Sequence, residues 1–383
     1  MLIEVLPLQE YDFAMQKILG FIKQNTVMCI AALLAIVTGC IVPPDKEYIG
    51  YFDFKTLTCL FLTLAVICAL KNIKFFSIIA QKIVMMTGNL RTLALALVYI
   101  TFIGSMLIAN DMALITFLPL GFFALSSTKN EKHMAYVFIL QNISANLGGM
   151  LTPFGNPQNL FLYSTFEIPT GEFMGIMLKP FLLAIFMLTV SCFFLKPEKL
   201  VLEESVSYTM EPKRVILYLI LFAYSIFIVF RVIPYWTGLL IIPVILFFVD
   251  RKALAEVDYA LLATFTFFFI FSGNMSRIDV VSRLLSSLLS KSTLLVSELS
   301  CQVISNVPSA ILLSRFTGNY KELLLGVNIG GTGTLISSLA SLITFNHYRT
   351  LYPGHTKQYI LKFALLNTIF LAAQTLAAYF FFI

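Results

Sequence analysis

The sequence predicts an all-α polytopic membrane protein built as two inverted repeats, each with a re-entrant hairpin and a broken transmembrane helix. Three observations predict it. The 383-residue chain is 59% hydrophobic and 12% charged, against roughly 45–50% apolar content in soluble domains. Apolar runs of about 20 residues, long enough to cross a bilayer, recur along the chain. Two stretches are also near copies: Ala145–Leu160, ANLGGMLTPFGNPQNL, and Val327–Leu342, VNIGGTGTLISSLASL. Asn146 falls on Asn328, Gly148-Gly149 on Gly330-Gly331, Thr152 on Thr334, and Asn156 and Asn159 on Ser338 and Ser341. A helix interrupted once in each half points to a transporter binding site. Bare backbone at membrane depth survives only under protein or around a water-filled cavity. Gly-rich helix packing by itself does not require the matched Asn and Thr.

The elements follow in order. Residues 1–25 mix Glu4, Glu10, Asp12, Lys17 and Lys23 with apolar residues. With no clean apolar core before a cleavage site, they read as a cytoplasmic or interfacial segment. Plain spans are expected at Thr26–Pro44, Thr56–Leu70, Gly171–Leu195, Arg214–Val232, Tyr235–Val249, Tyr259–Gly273 and Tyr359–Phe382. His133–Ser164 and Lys321–Phe345 carry the Gly-Gly breaks. Leu90–Leu125, broken near Ala109-Asn110-Asp111, and Thr293–Phe316, broken at Ser305-Asn306-Val307-Pro308, read as hairpins that enter and leave on one side. Phe75–Thr87 and Ile278–Lys291 precede them as interfacial segments. Phe52-Asp53-Phe54 and Val257-Asp258-Tyr259 open matching helices, so the same order of elements is expected twice. The first repeat occupies 26–195, a cytoplasmic linker 196–213, and the second repeat 214–383.

Counting each hairpin as zero crossings runs Thr56–Leu70 inward and Tyr259–Gly273 outward, which inverts the two halves. Charge agrees with this count. Lys71, Lys74, Lys82, Lys129, Lys132, Lys196, Lys199, Lys213, Arg214, Arg251, Lys252, Arg349 and Lys357 fall on the inner side and fewer basic residues on the outer. The positive-inside rule then puts the N-terminus in the cytoplasm and the C-terminus outside, in the plasma (inner) membrane.

The net charge of +6 is therefore topological. No basic stripe interleaved with aromatics suggests nucleic-acid binding. The six cysteines are scattered without paired spacing, and His133, His347 and His355 show no metal-binding spacing, so no metal site or disulfide framework is expected. Only Asp111 and Cys301 are embedded reactive groups, and no His accompanies them, which excludes a membrane-embedded enzyme as the leading reading. No nucleotide-binding motif occurs, and no tightly bound cofactor is expected.

The four polar breaks are expected to converge near the midplane. Half-helix N-termini hold anions through free N–H donors and aligned dipoles, and C-terminal carbonyls hold small cations. Substrate contacts are assigned to Asn110, Asp111, Asn156, Asn159, Ser305, Asn306, Thr332 and Thr334. Coupling-ion contacts are assigned to Asn110, Asp111, Asn146, Gly148, Gly149, Thr152, Asn306, Asn328, Gly330 and Gly331. An Asn amide offers both donors and an acceptor. Asp111 sits between long apolar runs, where an ionised group is costly and marks function by default. It can coordinate Na⁺, carry a proton, or cap the second hairpin arm. Glu298 and Arg315, in the second hairpin, are placed at the membrane edge by snorkelling.

IANDMALITFLPL, ISANLGGMLTPFGNPQN, SNVPSAILL and GVNIGGTGTLISSLASLI resemble the ion transporter superfamily. That group holds citrate and dicarboxylate carriers, divalent-anion sodium symporters, arsenite permeases and one type of Na⁺/H⁺ antiporter. The resemblance runs from about Thr26 onward. In the dicarboxylate symporters each tip carries Ser-Asn-Thr; here the tips read Ala109-Asn110-Asp111 and Ser305-Asn306-Val307, so only the Asn carries over at both. The Ala-Asn-Asp tip and Asn306–Ser309 are closer to the arsenite permease branch, while Gly155–Asn159 resembles the symporters' Gly-Thr-Pro-Pro-Asn. The resemblance implies a dimer, each protomer with a scaffold and a moving part made of hairpins and broken helices. The expected function is secondary active transport of a small anion, a carboxylate or oxyanion, by alternating access coupled to Na⁺ or H⁺. The alternatives are arsenite or antimonite efflux and Na⁺/H⁺ antiport. The expected partners are the anion, membrane lipid and a second copy of the chain.

Overall fold

The computed structural model describes residues 20–22, 25–200 and 211–382. The interfacial segment expected at 1–25 therefore lies almost wholly outside the described residues, as does most of the linker expected at 196–213.

The described residues fold into helices joined by short connections. α1 (Thr26–Ile41) is followed by a 3-10 turn, Lys46–Tyr51, and then α2 (Phe54–Asn72), α3 (Phe75–Met85), α4 (Leu90–Ile108), α5 (Asn110–Ser127), α6 (Met134–Gly148), α7 (Pro157–Thr165) and α8 (Thr170–Phe193). The second part runs α9 (Pro212–Val229), α10 (Tyr235–Val249), α11 (Arg251–Ala255), α12 (Tyr259–Ser276), α13 (Asp279–Lys291), α14 (Thr293–Ile304), α15 (Asn306–Leu313), α16 (Tyr320–Ile329), α17 (Leu339–Leu351) and α18 (Thr356–Ala377). Among the described residues seven helices are long and apolar enough to cross a membrane. The chain is a multi-pass, all-helical membrane protein.

Local chemistry sets the helix starts. Asp53 Oδ1 accepts from Thr56 N at 2.9 Å at the head of α2. Asp258 Oδ1 accepts from Leu261 N at 2.8 Å at the head of α12. Each satisfies a first-turn N–H that has no partner within the helix. Asn89 forms a capping box with Thr92 on α4, and Ser292 caps α14 through Leu295 N.

From α2 and from α12 the order of elements is the same: a long helix, a short helix, a two-armed hairpin, and a helix broken by a loop. The hairpins differ in size. The arms of the first have 19 and 18 residues and those of the second 12 and 8. Packing crosses between the parts. α1 lies along α12, while α9 and α10 lie along α2. Each hairpin's first arm packs on the first half of its own broken helix, α4 on α6 and α14 on α16. Each second arm packs on the second half of the other, α5 on α17 and α15 on α7. Neither hairpin reaches its full set of neighbours without the other part of the chain.

The loop after α1 is tied to the second part by charge. Arg277 Nη2 lies 2.7 Å from Asp45 Oδ2, its Nε 3.4 Å from Glu47 Oε2, and its Nη1 donates to Tyr51 Oη at 3.0 Å. Arg315 Nη2 donates to Tyr51 O at 2.8 Å. Arg315 is thus exposed yet bound to backbone. Glu298 does not snorkel to solvent. It is 5% exposed in the middle of α14, a correction to the sequence expectation, because α18 and α16 close over that face of the arm.

Candidate functional site

Both hairpin tips turn on one residue of unusual backbone. Ala109 has φ 63°, ψ 154° and Ser305 φ 74°, ψ 160°, a region almost reserved for glycine. The next residue is an Asn at each tip, and its side chain folds onto the following backbone. Asn110 Oδ1 accepts from Asp111 N at 3.0 Å, and Asn306 Oδ1 from Val307 N at 2.9 Å. Asn110 Nδ2 reaches Asn146 Oδ1 at 3.2 Å in the last turn of α6. Asn306 N donates to Ser337 O at 2.9 Å, in the second break loop.

The matched threonines make matched bonds. Thr152 Oγ1 donates to Met106 O at 3.0 Å, and Thr334 Oγ1 to Gln302 O at 3.2 Å. Each acceptor lies three residues before its tip, so each break loop is pinned to its own hairpin.

The glycine pairs serve close approach. A Cβ on Gly148 would lie 2.3 Å from Phe102 O of α4, and one on Gly330 2.9 Å from Glu298 Cα of α14. A Cβ on Gly149 would meet Asn156 Oδ1 at 2.3 Å, and one on Gly331 would meet Asn306 Nδ2 at 3.1 Å.

An amide network joins the two breaks. Asn328 Nδ2 donates to Asn159 Oδ1 at 2.7 Å and to Leu324 O at 2.8 Å. Asn328 Oδ1 accepts from Asn156 and Gln158, each at 3.4 Å. Asn156 Nδ2 also donates to Asn146 O at 3.2 Å, and Asn159 Nδ2 lies 3.2–3.3 Å from the carbonyls of Gly149, Met150 and Thr152. All four Asn are buried.

In front of this network lies a cavity of about 570 Å³. Asn110 and Asp111 line it from one tip and Ser305 to Pro308 from the other. Pro157 and Gln158 line it at the start of α7, and Ser338 and Leu339 at the start of α17. Apolar side chains of α1 and α12, including Ile30, Leu34, Phe268 and Phe271, complete the wall. Four helices, α5, α7, α15 and α17, therefore begin at one cavity and turn the positive ends of their dipoles toward it. Asp111 Oδ1 and Gln158 Oε1 are buried there without a hydrogen-bond partner.

Of the assigned residues, Asn110, Asp111, Ser305 and Asn306 line the cavity. Asn146, Asn156, Asn159 and Asn328 stand behind its wall as the network that holds the breaks together. Thr332 is buried, with Oγ1 on Ile329 O at 2.7 Å; Thr334 is exposed and bound to Gln302. Neither lines the cavity. Three participants were not assigned from the sequence. Gln158 and Ser338 were inside the duplicated motif, the latter as the match of Asn156. Gln302 lies one helical turn before the second tip; its Nε2 donates to Gly330 O at 2.9 Å and Thr332 O at 3.1 Å.

Similarity to other proteins agrees with this architecture. Residues 13–319 match the family model described as "Citrate transporter". An uncharacterized transporter of Methanocaldococcus jannaschii is 33% identical over 313 residues, covering 82% of this chain and 85% of the relative. The inner membrane protein YbiR of Escherichia coli is 27% identical over 311 residues, covering 78% and 81%. An uncharacterized transporter of Haemophilus influenzae is 32% identical over a shorter 149 residues, 38% of this chain and 32% of the relative. With two duplicated breaks around one cavity and a family match across most of its length, this chain belongs to the citrate transporter family of membrane transporters.

Proposed function

We propose that the protein is a secondary active transporter that moves a small anion, a carboxylate or oxyanion, across the plasma membrane by alternating access, coupled to Na⁺ or H⁺. The observation that carries this reading is the convergence of four helix N-termini on one cavity of about 570 Å³. N-terminal dipoles and side-chain amides favour negative charge, and Asn110 and Asn306 place side-chain amides at the cavity. The family supports anion transport, and a relative named as an inner membrane protein supports the location. The N-terminus is taken as cytoplasmic and the C-terminus as external, from the charge bias of the loops.

Asp111 supplies the reason for coupling. Its carboxyl shares the cavity with the proposed anion. Two unit negative charges about 4 Å apart repel by about 4 kcal/mol at an effective dielectric of 20. A proton on Asp111, or Na⁺ beside it, removes that repulsion. Anion binding and cation binding then favour each other, which is a coupling free energy between two sites. The hairpins and broken helices are the parts taken to move against α1, α2, α9, α10 and α12.

The test is the thermal stability of the purified protein with citrate, succinate and sulfate, each with and without Na⁺ and across pH. A ligand at 100 times its dissociation constant adds about 2.7 kcal/mol. Stabilisation by an anion that requires Na⁺ or low pH, and that Asn110→Ala and Asn306→Ala both remove, supports the carrier. The unpaired Asp111 carboxyl favours a second reading, Na⁺/H⁺ exchange. Stabilisation by Na⁺ or pH alone, with no response to any anion and loss in Asp111→Asn, rejects the carrier in favour of exchange.

A further inference from the structure

A second carboxyl is buried away from the cavity, and nothing in the carrier reading uses it. Glu298 lies in the middle of α14 and is 5% exposed. Its Oε1 is buried with no hydrogen-bond partner. It takes part in no ion pair among the described residues. An ionised carboxylate in such a place is severely disfavoured unless paired and hydrogen-bonded.

Counting hydrogens gives the same answer from geometry. Thr375 Oγ1 of α18 lies 2.8 Å from Glu298 Oε2 and also 2.8 Å from Leu371 O. A threonine hydroxyl has one hydrogen, and neither a carboxylate nor a carbonyl has any. One hydrogen shared between two acceptors makes two weakened bonds, whereas each contact is a full hydrogen bond if Glu298 is the acid. Its O–H then donates to Thr375 Oγ1, and the Thr375 hydroxyl donates to Leu371 O.

The surrounding charges leave this pair alone. On α13, Asp279, Arg283 and Lys291 are exposed. On α16, Tyr320 and Lys321 are engaged with Glu172, and Glu322 accepts from Leu294 N at 3.0 Å, one turn before Glu298. α15 carries no titratable residue. On α18, Lys357 and Lys362 are exposed and Tyr359 is buried against Tyr348. Lys179 of α8, which packs on α18, donates to Phe381 O at 3.0 Å. Cys301, one turn along α14, has Sγ toward Val327 O.

Glu298 is also mechanically connected to the second break. Its Cα is among the atoms that a Cβ on Gly330 would crowd, at 2.9 Å. One turn on, Gln302 Nε2 contacts Glu298 O, Gly330 O and Thr332 O, and Gln302 Oε1 accepts from Thr334 N. A change of charge at Glu298 therefore acts on the arm that clamps the break loop beside the cavity.

We propose that Glu298, bonded to Thr375, is a proton-binding site of this transporter, and that its proton is the one coupled to anion movement, with Na⁺ rather than a proton as the cation at Asp111. The step is a plain protonation: the carboxylate takes one proton to form the acid O–H, and the proton leaves to water in the conformation that opens the α14–α18 contact. The coupling half of the proposal rests on the carrier reading; the proton-binding half does not.

The closing experiment uses the full chain in lipid. Infrared spectra across pH read the protonated-carboxyl stretch directly. Wild type is expected to keep such a band at neutral pH, Glu298→Gln to lose it, and Thr375→Val to keep it with a shifted frequency and titration midpoint. An unchanged set of carboxyl bands in Glu298→Gln overturns the proton site. If that variant does not fold, the Thr375→Val spectrum decides, and no change in frequency or midpoint overturns the pair. In proteoliposomes, uptake of citrate, succinate or sulfate is compared with and without an inward proton gradient. The ratio is expected to exceed one in wild type and to fall to about one in Glu298→Gln. A ratio that survives the substitution, or is one in wild type, overturns the coupling role. Wild type that takes up no anion under any gradient instead rejects the carrier reading, and the infrared result still stands or falls separately.

Discussion

Asn328 and Asn159 lie 2.7 Å apart, Nδ2 to Oδ1, and join the broken helix of one part of the chain to that of the other. The bond is fully buried, and Asn328 Oδ1 also accepts from Asn156 and Gln158. One side chain therefore holds both break loops and the cavity-lining start of α7. Replacing Asn328 with Ala strands several buried groups at once. Each stranded group costs about 1–3 kcal/mol, so Asn328→Ala is expected to lower the thermal midpoint sharply. Asn159→Ala made in the same background should add less than it does alone, because the two residues share a bond. Additive losses in that double-mutant cycle would count against the network.

Ala109 and Ser305 hold the same strained backbone at the two tips. A non-glycine residue there costs about 1–3 kcal/mol. Ala109→Gly is expected to raise the thermal midpoint and Ala109→Val to lower it, since a β-branched residue fits this region worst. An equal response to both would mean that the tip does not adopt this conformation.

Gly148 marks where α6 touches the first hairpin arm. Its missing Cβ leaves room for Phe102 O and for Ser105 Oγ. Because the nearest atom is backbone, the neighbour cannot rotate away. Gly148→Ala is expected to destabilise by about 1–3 kcal/mol as an overpacked site. Gly175→Ala is the control, since nothing lies within 4 Å of its Cβ position; it should be neutral or slightly stabilising.

Arg277 holds the Asp45 carboxyl below its usual range, chiefly through their hydrogen bond. A depressed folded-state value means that the stabilisation is present above the unfolded value and is lost as pH falls through the folded one. Stability should therefore decline from about pH 4, the ordinary Asp value, downward. Asp45→Asn should flatten that part of the decline, and added salt should shrink it because both side chains are partly exposed. Thermal midpoints of the two proteins from neutral to acid pH check this directly.

Much of the architecture was legible because apolar length and punctuation report it locally. Asp53 and Asp258 were expected to open matching helices, and both do so by accepting first-turn N–H groups. The breaks after Gly148 and Ile329 and the tips at Ala109 and Ser305 fall where Gly, Asn and Ser interrupt apolar runs. Hairpin length was less legible. The first tip divides arms of 19 and 18 residues, and an apolar run shows where it turns but not how far its arms extend.

Site roles divide the same way. The Asn at each tip was legible as a cavity residue, because a polar group with no local partner in an apolar run must face something polar. Composition could not separate Asn156 and Asn159, which hold the wall together, from Gln158, which faces the cavity. Within one helical turn neighbouring residues point different ways, and only the packing of α7 against α15 and α16 selects which one is outward. Glu298 shows the same limit. From sequence it is a charge in an apolar arm with an edge within reach; in the fold it is closed off by α16 and α18. Sequence alone determined that this is a helical membrane protein with two matched interruptions, because hydrophobic length and backbone satisfaction are local requirements. Which polar groups meet, and which stay without a partner, was decided only by tertiary structure, because that depends on helices far apart in the chain.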